Sequence, residues 1–374
     1  MLAADISNAY LNAECAENVC FKAGSEFGDR KGQWVVARRS LYGLKSAGAS
    51  FNAHLARCLE HDLEFVSSKG DRDVWMRTAV KESDGSECYK CVCTYVDDVL
   101  VTSERPEEVM KVLAGVYKLK GVAGNPEDEP WEEPKTHLGA DIVRAKNSRG
   151  STYFLMGSET YIENALKSTQ HELDNEGLVS VAGRGLELNK MAKAPFPSGC
   201  RPELDASAIL EPKDANWHQQ LIGMLNWIVE LGRIDIYNSV ARPSGYLAQP
   251  REGHLRAALH MFSYLKSGGH QLLPFHPMMP VMEGAYAIPK MEDSIMEIWK
   301  NFYSDAEDEV PLDMPKALGG SVRIYCFVDA DHAGDKLTRR SCTGIIIKIN
   351  NAVISDEVHF FQETDNTGGC YLWI

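Results

Sequence analysis

The sequence predicts an α+β chain of two or three cored domains, and three observations carry that expectation. At 374 residues the chain is too long for one ordinary domain. Two stretches rich in β-branched and aromatic residues, 88–103 and 322–354, lie far apart in the chain. Between them run two segments with helical periodicity, 217–231 and 255–265. Hydrophobic residues at 44% and charged residues at 25% are ordinary for soluble domains and exclude wholesale disorder. No apolar run reaches membrane-spanning length and no leader pattern opens the chain, so a cytosolic or nuclear protein without a membrane partner is expected. The ten cysteines are scattered like reduced thiols, with no disulfide framework in their spacing. A net charge of −14 counts against a free-standing nucleic-acid binder.

In chain order, Met1-Leu-Ala-Ala-Asp5-Ile-Ser-Asn-Ala-Tyr10-Leu-Asn12 opens into a short apolar stretch carrying one acid, Asp5, at the end of a strand. A helix is expected from about Ala49, with Ser50 as its cap and Phe51, Leu55, Cys58 and Leu59 inward. In 88–103 two β-rich runs flank Asp97-Asp98, the pattern of a hairpin with both acids at or beside its turn. A helix follows, with Pro106 in its first turn, Glu107 and Glu108 at the positive end of the dipole, and Val109, Val112, Leu113 and Val116 inward. Residues 125–134, with three Pro, five acids and no base, predict a loop. Ser158 caps a helix through Lys167, and 170–213 is loop. Trp217, Leu221, Met224, Leu225, Ile228 and Leu231 form one helical stripe and Leu255, Ala258, Leu259, Phe262 and Leu265 another. Gly232 and Gly268-Gly269 end these helices. The proline-punctuated acidic tract 271–320 reads as a connection. After it, 322–328 alternates, and Ile345–Ile349 with Ala352–Ile354 forms a hairpin about Asn350-Asn351.

Adjacent carboxylates between apolar strands repel each other and lose hydration unless a cation lies between them. A divalent metal is the usual remedy for Asp97-Asp98, and a solvated Asp-Asp turn is the competing reading. Asp5 has a comparable setting, and its convergence with that pair would make an oxygen-only site suited to Mg²⁺, with room for two ions. Cys88, Cys91 and Cys93 lack a second ligand pair and alternate along a strand, which speaks against zinc. His254, His260 and His270 lack the spacing of a ligand set, so packing or surface roles are expected.

These residues also carry a resemblance. Tyr95-Val-Asp-Asp98 resembles the metal-binding hairpin of reverse transcriptases, and Asp5-Ile-Ser-Asn-Ala-Tyr-Leu11 resembles their first aspartate motif. Ser40-Leu-Tyr-Gly-Leu-Lys-Ser-Ala-Gly-Ala-Ser-Phe51 is similar to the template and nucleotide-binding segment of copia-type retrotransposon polyproteins. Leu138-Gly139 resembles the start of the primer-grip hairpin. Ile234-Asp-Ile236, His254-Leu255, Tyr264-Leu-Lys266, Val328-Asp-Ala-Asp-His-Ala-Gly334 and Arg339-Arg-Ser-Cys-Thr-Gly344 follow that polyprotein into its ribonuclease H region.

The resemblance implies a palm with part of the fingers over 1–145, a helical thumb and connection over 146–270, an acidic linker over 271–320 and a truncated ribonuclease H-like α/β domain over 321–374. It implies two Mg²⁺ ions on Asp5 and Asp97 with Asp98 in support, a steric gate at Tyr10, and nucleotide contacts at Ile6, Gly43 and Lys45. Arg38, Arg39, Tyr95, Leu138 and Gly139 would meet nucleic acid, and Asp329 would be the first ribonuclease H acid. The implied partners are an RNA template, a DNA primer and deoxynucleoside triphosphates, and the implied setting is a cytoplasmic particle or the nucleus.

Two departures qualify that expectation. The family carries a fingers segment before its first aspartate motif, and only four residues precede Asp5 here. The second ribonuclease H acid should fall some forty residues after Asp329, where Gly369-Cys-Tyr-Leu-Trp-Ile374 has none, and Glu357, Glu363 and Asp365 come too early. An inactive ribonuclease H remnant is therefore expected, and the alternative for the whole chain is a catalytically dead remnant that at most binds nucleic acid. The net charge resolves by region: 125–134 carries −5 and 280–314 carries −7, while 22–77 carries +3.

Overall fold

The computed structural model describes residues 1–120, 130–175, 188, 192–268, 271–276, 297, 314–318 and 322–362, with side chains described as far as 354. The chain divides into two compact units, Met1–Lys135 with Asp305–Gly320 and Thr136–Ser304 with Ser321–Ile374. The first division falls at Lys135/Thr136 and not at 145, because the strand that begins at Ala140 pairs with the strand after it. Likewise 321–374 groups with the helical segment and does not stand as a unit of its own.

The first unit runs β1 (Leu2–Ile6), α1 (Ala9–Asn12), β2 (Cys20–Lys22), β3 (Trp34–Val36), α2 (Ala47–Arg57), β4 (Val66–Ser67), β5 (Val74–Val80), β6 (Glu87–Tyr95), β7 (Asp98–Thr102), α3 (Pro106–Val116) and β8 (Leu119–Lys120). Six strands form an antiparallel sheet in the order β4-β5-β6-β7-β1-β8, and β2 pairs with β3 as a separate hairpin. Ala4, Ile6, Val92, Val99 and Val101 project from one face of the large sheet into a core with Phe51 and Leu55 of α2 and Val109, Met110 and Leu113 of α3. Because side chains alternate along a strand, Asp5 and Asp98 fall on the opposite face.

Two helical expectations shift here. α2 begins at Ala47, so Ser50 lies inside it and Ser46 holds the cap position. In α3 the buried set is Pro106, Val109, Met110 and Leu113, while Val112 and Val116 are 37% and 46% exposed. The i, i+3, i+4, i+7 stripe decides which valines go inside. The expected loop 125–134 lies partly outside the described residues. Its described end is tied down by Trp131, buried in the core, and by Glu132, which exchanges backbone hydrogen bonds with Ala3 at 2.8 and 3.0 Å. Residues 314–318, expected as linker, belong with β6: Lys316 pairs with Glu87 at 2.7 Å and its carbonyl accepts from the Tyr89 hydroxyl at 2.6 Å.

The second unit runs β9 (Thr136–His137), β10 (Ala140–Lys146), β11 (Thr152–Gly157), α4 (Glu159–Asp174), α5 (Pro212–Glu230), α6 (Tyr237–Ser244), α7 (Glu252–Ser267), β12 (Leu273–Phe275), β13 (Ile324–Ala330), β14 (Arg340–Ile349) and β15 (Ala352–Gln362). Trp217, Leu221, Leu225 and Ile228 of α5 pack with Leu255, Ala258, Leu259, Phe262 and Leu265 of α7, both stripes as expected, with Met224 partly buried beside them. Gly232 ends the α5 segment at φ 109°, a conformation glycine adopts without strain.

α4 continues past Lys167 to Asp174, because Ile162, Ala165 and Thr169 keep one face buried, so 170–174 is helix and not loop. Ser158 stands at its cap position, yet its hydroxyl makes no capping bond. Leu273–Phe275, expected as connection, is an edge strand on β11, where the missing N–H of Pro274 is tolerated. The expected tail hairpin is present, with β13 completing an antiparallel β13-β14-β15 sheet. Most of 277–313 lies outside the described residues. No helix among those described is long and apolar enough to cross a membrane.

Candidate active site

The sheet register brings the first unit's acids together. Asp5 at the end of β1 is the direct cross-strand partner of Asp98, the first residue of β7. The turn Val96-Asp97 joins β6 to β7, with Tyr95 opposite Asp98. Val96 stands at φ 54°, unfavourable for a β-branched residue, so the turn stores strain that the flanking pairs hold. The Asp97 carbonyl accepts from the Ile6 amide at 2.8 Å, fastening the turn to the end of β1. Tyr95 beside it is 59% exposed.

On the other side of β1, Asp5 is also the cross-strand partner of Lys120 in β8, whose ammonium lies 3.0 Å from Asp5 Oδ1. The hydrogen bond and charge of Asp5 raise the Lys120 pKa, and the charges of Asp97 and Tyr42 add to that. Sequence reasoning missed Lys120. Its only signal was the alternation of Lys118-Leu119-Lys120, since the buried Leu119 sends both neighbours to the other face.

Tyr10, in α1, packs its ring 4.5 Å from that of Tyr42 and 6.3 Å from that of Phe51. Tyr42 is exposed and is a second missed residue, although it lies inside the segment 40–51. Gly43 has φ 96°, and a Cβ there would meet nothing of the chain within 4 Å. Backbone conformation, not crowding by the chain, therefore demands glycine. Lys45 and Arg38 are exposed. Arg39 donates to the Asn12 carbonyl at 2.8 Å. The loop bearing Gly43 and Lys45 is anchored by Glu17, whose Oε1 accepts from the Ser46 amide at 2.8 Å and the Ser46 hydroxyl at 2.6 Å. Those two bonds lower the Glu17 pKa, and Glu17 is a third residue that sequence reasoning missed.

In the second unit, Leu138 and Gly139 are the two central residues of a tight hairpin turn, at φ 50° and 85°, with His137 opposite Ala140. Two positive φ values in a two-residue turn match the right-handed twist of its strands. Asp329 lies exposed on β13 opposite Gly344. Asp331 accepts from the Cys342 amide at 2.7 Å and lies 3.9 Å from Arg242. The side chain of Glu357 and all of Glu363 and Asp365 lie outside the described residues. Among the described residues, no three His, Cys, Asp or Glu side chains stand together as a metal-binding group. Cys91 and Cys93 pair with Thr102 and Leu100 across β6 and β7, and burial pushes both thiols up.

Comparison with known proteins bears on this arrangement. A model of the reverse transcriptase (RNA-dependent DNA polymerase) family matches residues 2–127, the span that holds Asp5, Tyr10, Gly43, Asp97, Asp98 and Lys120. A transposon Ty5-1 protein of Saccharomyces cerevisiae is 22% identical over 338 residues, 89% of this chain and 92% of that protein. A retrovirus-related Pol polyprotein from transposon RE1 of Arabidopsis thaliana is 24% identical over 355 residues. Another from transposon TNT 1-94 of Nicotiana tabacum is 22% identical over 367 residues. The matches cover 94% of this chain but only 19% and 22% of the two plant polyproteins. Together these matches support a retrotransposon reverse transcriptase region over residues 2–127.

Proposed function

We propose that the chain is the RNA-directed DNA polymerase portion of a copia-type retrotransposon polyprotein, extending a DNA primer on an RNA template. One observation carries the reading: Asp5 and Asp98 are cross-strand partners, and the Asp97 turn is bonded to the end of β1. In this reading the first unit is palm with part of the fingers, the helices of the second unit are thumb and connection, and β13–β15 begin a ribonuclease H-like region without activity.

The donor set suits Mg²⁺. Asp5 and Asp97 offer hard oxygens, and an ion held by one or two carboxylates completes its shell with water and substrate phosphates. When bound, two such ions lower the pKa of the primer 3′-hydroxyl and neutralise the triphosphate. The chain's own residues do the rest. Asp98 adds negative charge beside Asp5 and keeps the end of the sheet cationophilic. Tyr10, backed by Phe51 and Tyr42, presents a ring edge that a ribose 2′-hydroxyl would strike, which selects deoxynucleotides. Glu17 holds the loop that offers Gly43 and Lys45 to the nucleotide. The 3′-oxygen attacks the α-phosphorus, the bond to the β-phosphate oxygen breaks, and pyrophosphate leaves.

The test is Mg²⁺-dependent primer extension on an RNA template by the purified chain, with Asp97→Asn as control. Incorporation by wild type alone supports the reading. Equal, background-level incorporation by both leaves a non-catalytic nucleic-acid-binding remnant as the better account.

A further inference from the structure

We infer that Lys120 is the resident counter-cation of the acidic centre, holding Asp5 in the metal-free chain and competing with a divalent ion for it. The inference rests on the reading of Asp5 and Asp97 as metal ligands and extends it to a residue outside the aspartate motifs.

The register makes the case. β1 lies between β7 and β8, and Asp5 is the direct partner of Asp98 on one side and Lys120 on the other. Direct antiparallel partners place their side chains on one face, about 5 Å apart, so Asp98, Asp5 and Lys120 form a row across three strands. Two acids directly opposite destabilise a sheet, and a base opposite one of them offsets that. Lys120 cannot be a chance neighbour of the row. Leu119 is buried in the core under the sheet, and a slip of one residue would drive a lysine into that core and turn Leu119 to water.

Exposure decides what happens when a metal arrives. The Lys120 side chain is 56% exposed and that of Asp5 31%. The ammonium can therefore swing into water without disturbing the strands and leave the carboxylate to the ion. A divalent ion must then break an existing ion pair to enter, and the centre binds metal more weakly than its carboxylates alone would.

Mn²⁺ binding followed by the electron paramagnetic resonance of the unbound ion, together with thermal melts with and without Mn²⁺, tests this on the whole chain. Lys120→Met keeps the stem and removes the charge. It should bind Mn²⁺ about three- to fivefold more tightly than wild type, the scale of a half-exposed ion pair. It should also melt below wild type without metal, with the deficit closing at saturating Mn²⁺. Lys120→Arg should stay near wild type in both. Unchanged or weaker Mn²⁺ binding by Lys120→Met, or a deficit that is the same with and without metal, overturns the inference and leaves the metal reading intact. Absence from the wild type of any Mn²⁺ binding that Asp97→Asn removes defeats the metal reading itself, and this inference with it.

Discussion

The end of the β1–β7 pair and the end of the β13–β14 pair look alike in sequence, since each is an apolar strand closing on aspartates. Their surroundings differ. Asp5 has charged cross-strand partners on both sides, Asp98 and Lys120. Asp329 faces Gly344, which has no side chain to answer it, while Asp331 is engaged by the Cys342 amide and by Arg242. The lesson is that acids make a centre only where register brings charge opposite charge. An aspartate at a strand end is otherwise a solvated group or a turn former.

The largest expected effect would break or establish this contrast. Asp5→Asn should lower primer extension by on the order of 10³-fold, the cost of losing a carboxylate that would hold the divalent ion, while Asp329→Asn should leave extension unchanged. Equal losses from the two would mean that the two strand ends are not functionally distinct. Next in size, Tyr10→Ala should raise ribonucleotide incorporation relative to deoxynucleotide by on the order of 10²-fold, read from single-nucleotide extension in each triphosphate. No change in that ratio would remove the gate from the proposal.

The contrast between answered and unanswered groups recurs in the cores. His54 of the first unit has its Nδ1 2.8 Å from the Tyr117 hydroxyl. His254 of the second accepts the Arg251 amide on Nδ1 at 3.1 Å, and its Nε2 lies 3.0 Å from the Pro202 carbonyl. His218 is fully buried, and neither ring nitrogen has a hydrogen-bond partner among the described residues. Burial, with a smaller contribution from His254, pushes its pKa down from 6.5 to about 4. The unfolded ring therefore takes up a proton before the folded one does. Stability is undiminished above pH 6.5 and falls as pH drops toward 4, by up to about 3 kcal/mol. His218→Leu should flatten that limb of the stability–pH curve, measured by denaturant melts. An unchanged limb would assign the acid sensitivity to other groups.

The smallest effect concerns the Leu138-Gly139 turn. Gly139→Ala introduces a Cβ at φ 85° and 3.3 Å from Trp227 Nε1, and should cost roughly 1–2 kcal/mol. A melt unchanged within error would show that the turn relaxes freely.

Much of this was legible in the sequence, and particular residues explain why. The 88–103 hairpin was readable because β-branched runs flank two acids, and the stripes of α5 and α7 because five or six apolar residues repeat at helical spacing. Val112 and Val116 were misplaced because hydrophobicity alone does not choose between overlapping stripes, and the stripe that is buried runs through Met110. Ser50 was misread as a cap because nothing local announces that Glu17, twenty-nine residues upstream of Ser46, takes the Ser46 amide and hydroxyl. Leu273–Phe275 was hidden by its proline, which only an edge position tolerates.

By itself, then, the sequence determined the local elements, the hairpin that carries Asp97-Asp98 and the motif order that marks a reverse transcriptase region, because these depend on periodicity and neighbouring residue types. Only the tertiary structure decided that Asp5 lies between Asp98 and Lys120, that Tyr42 backs Tyr10, that 273–275 pairs as a strand with β11, and that Lys316 is tied to β6. The physical reason is strand register. It is set by which apolar side chains reach the core, and it carries along polar residues whose partners lie far off in the chain, as Asp5 meets Lys120.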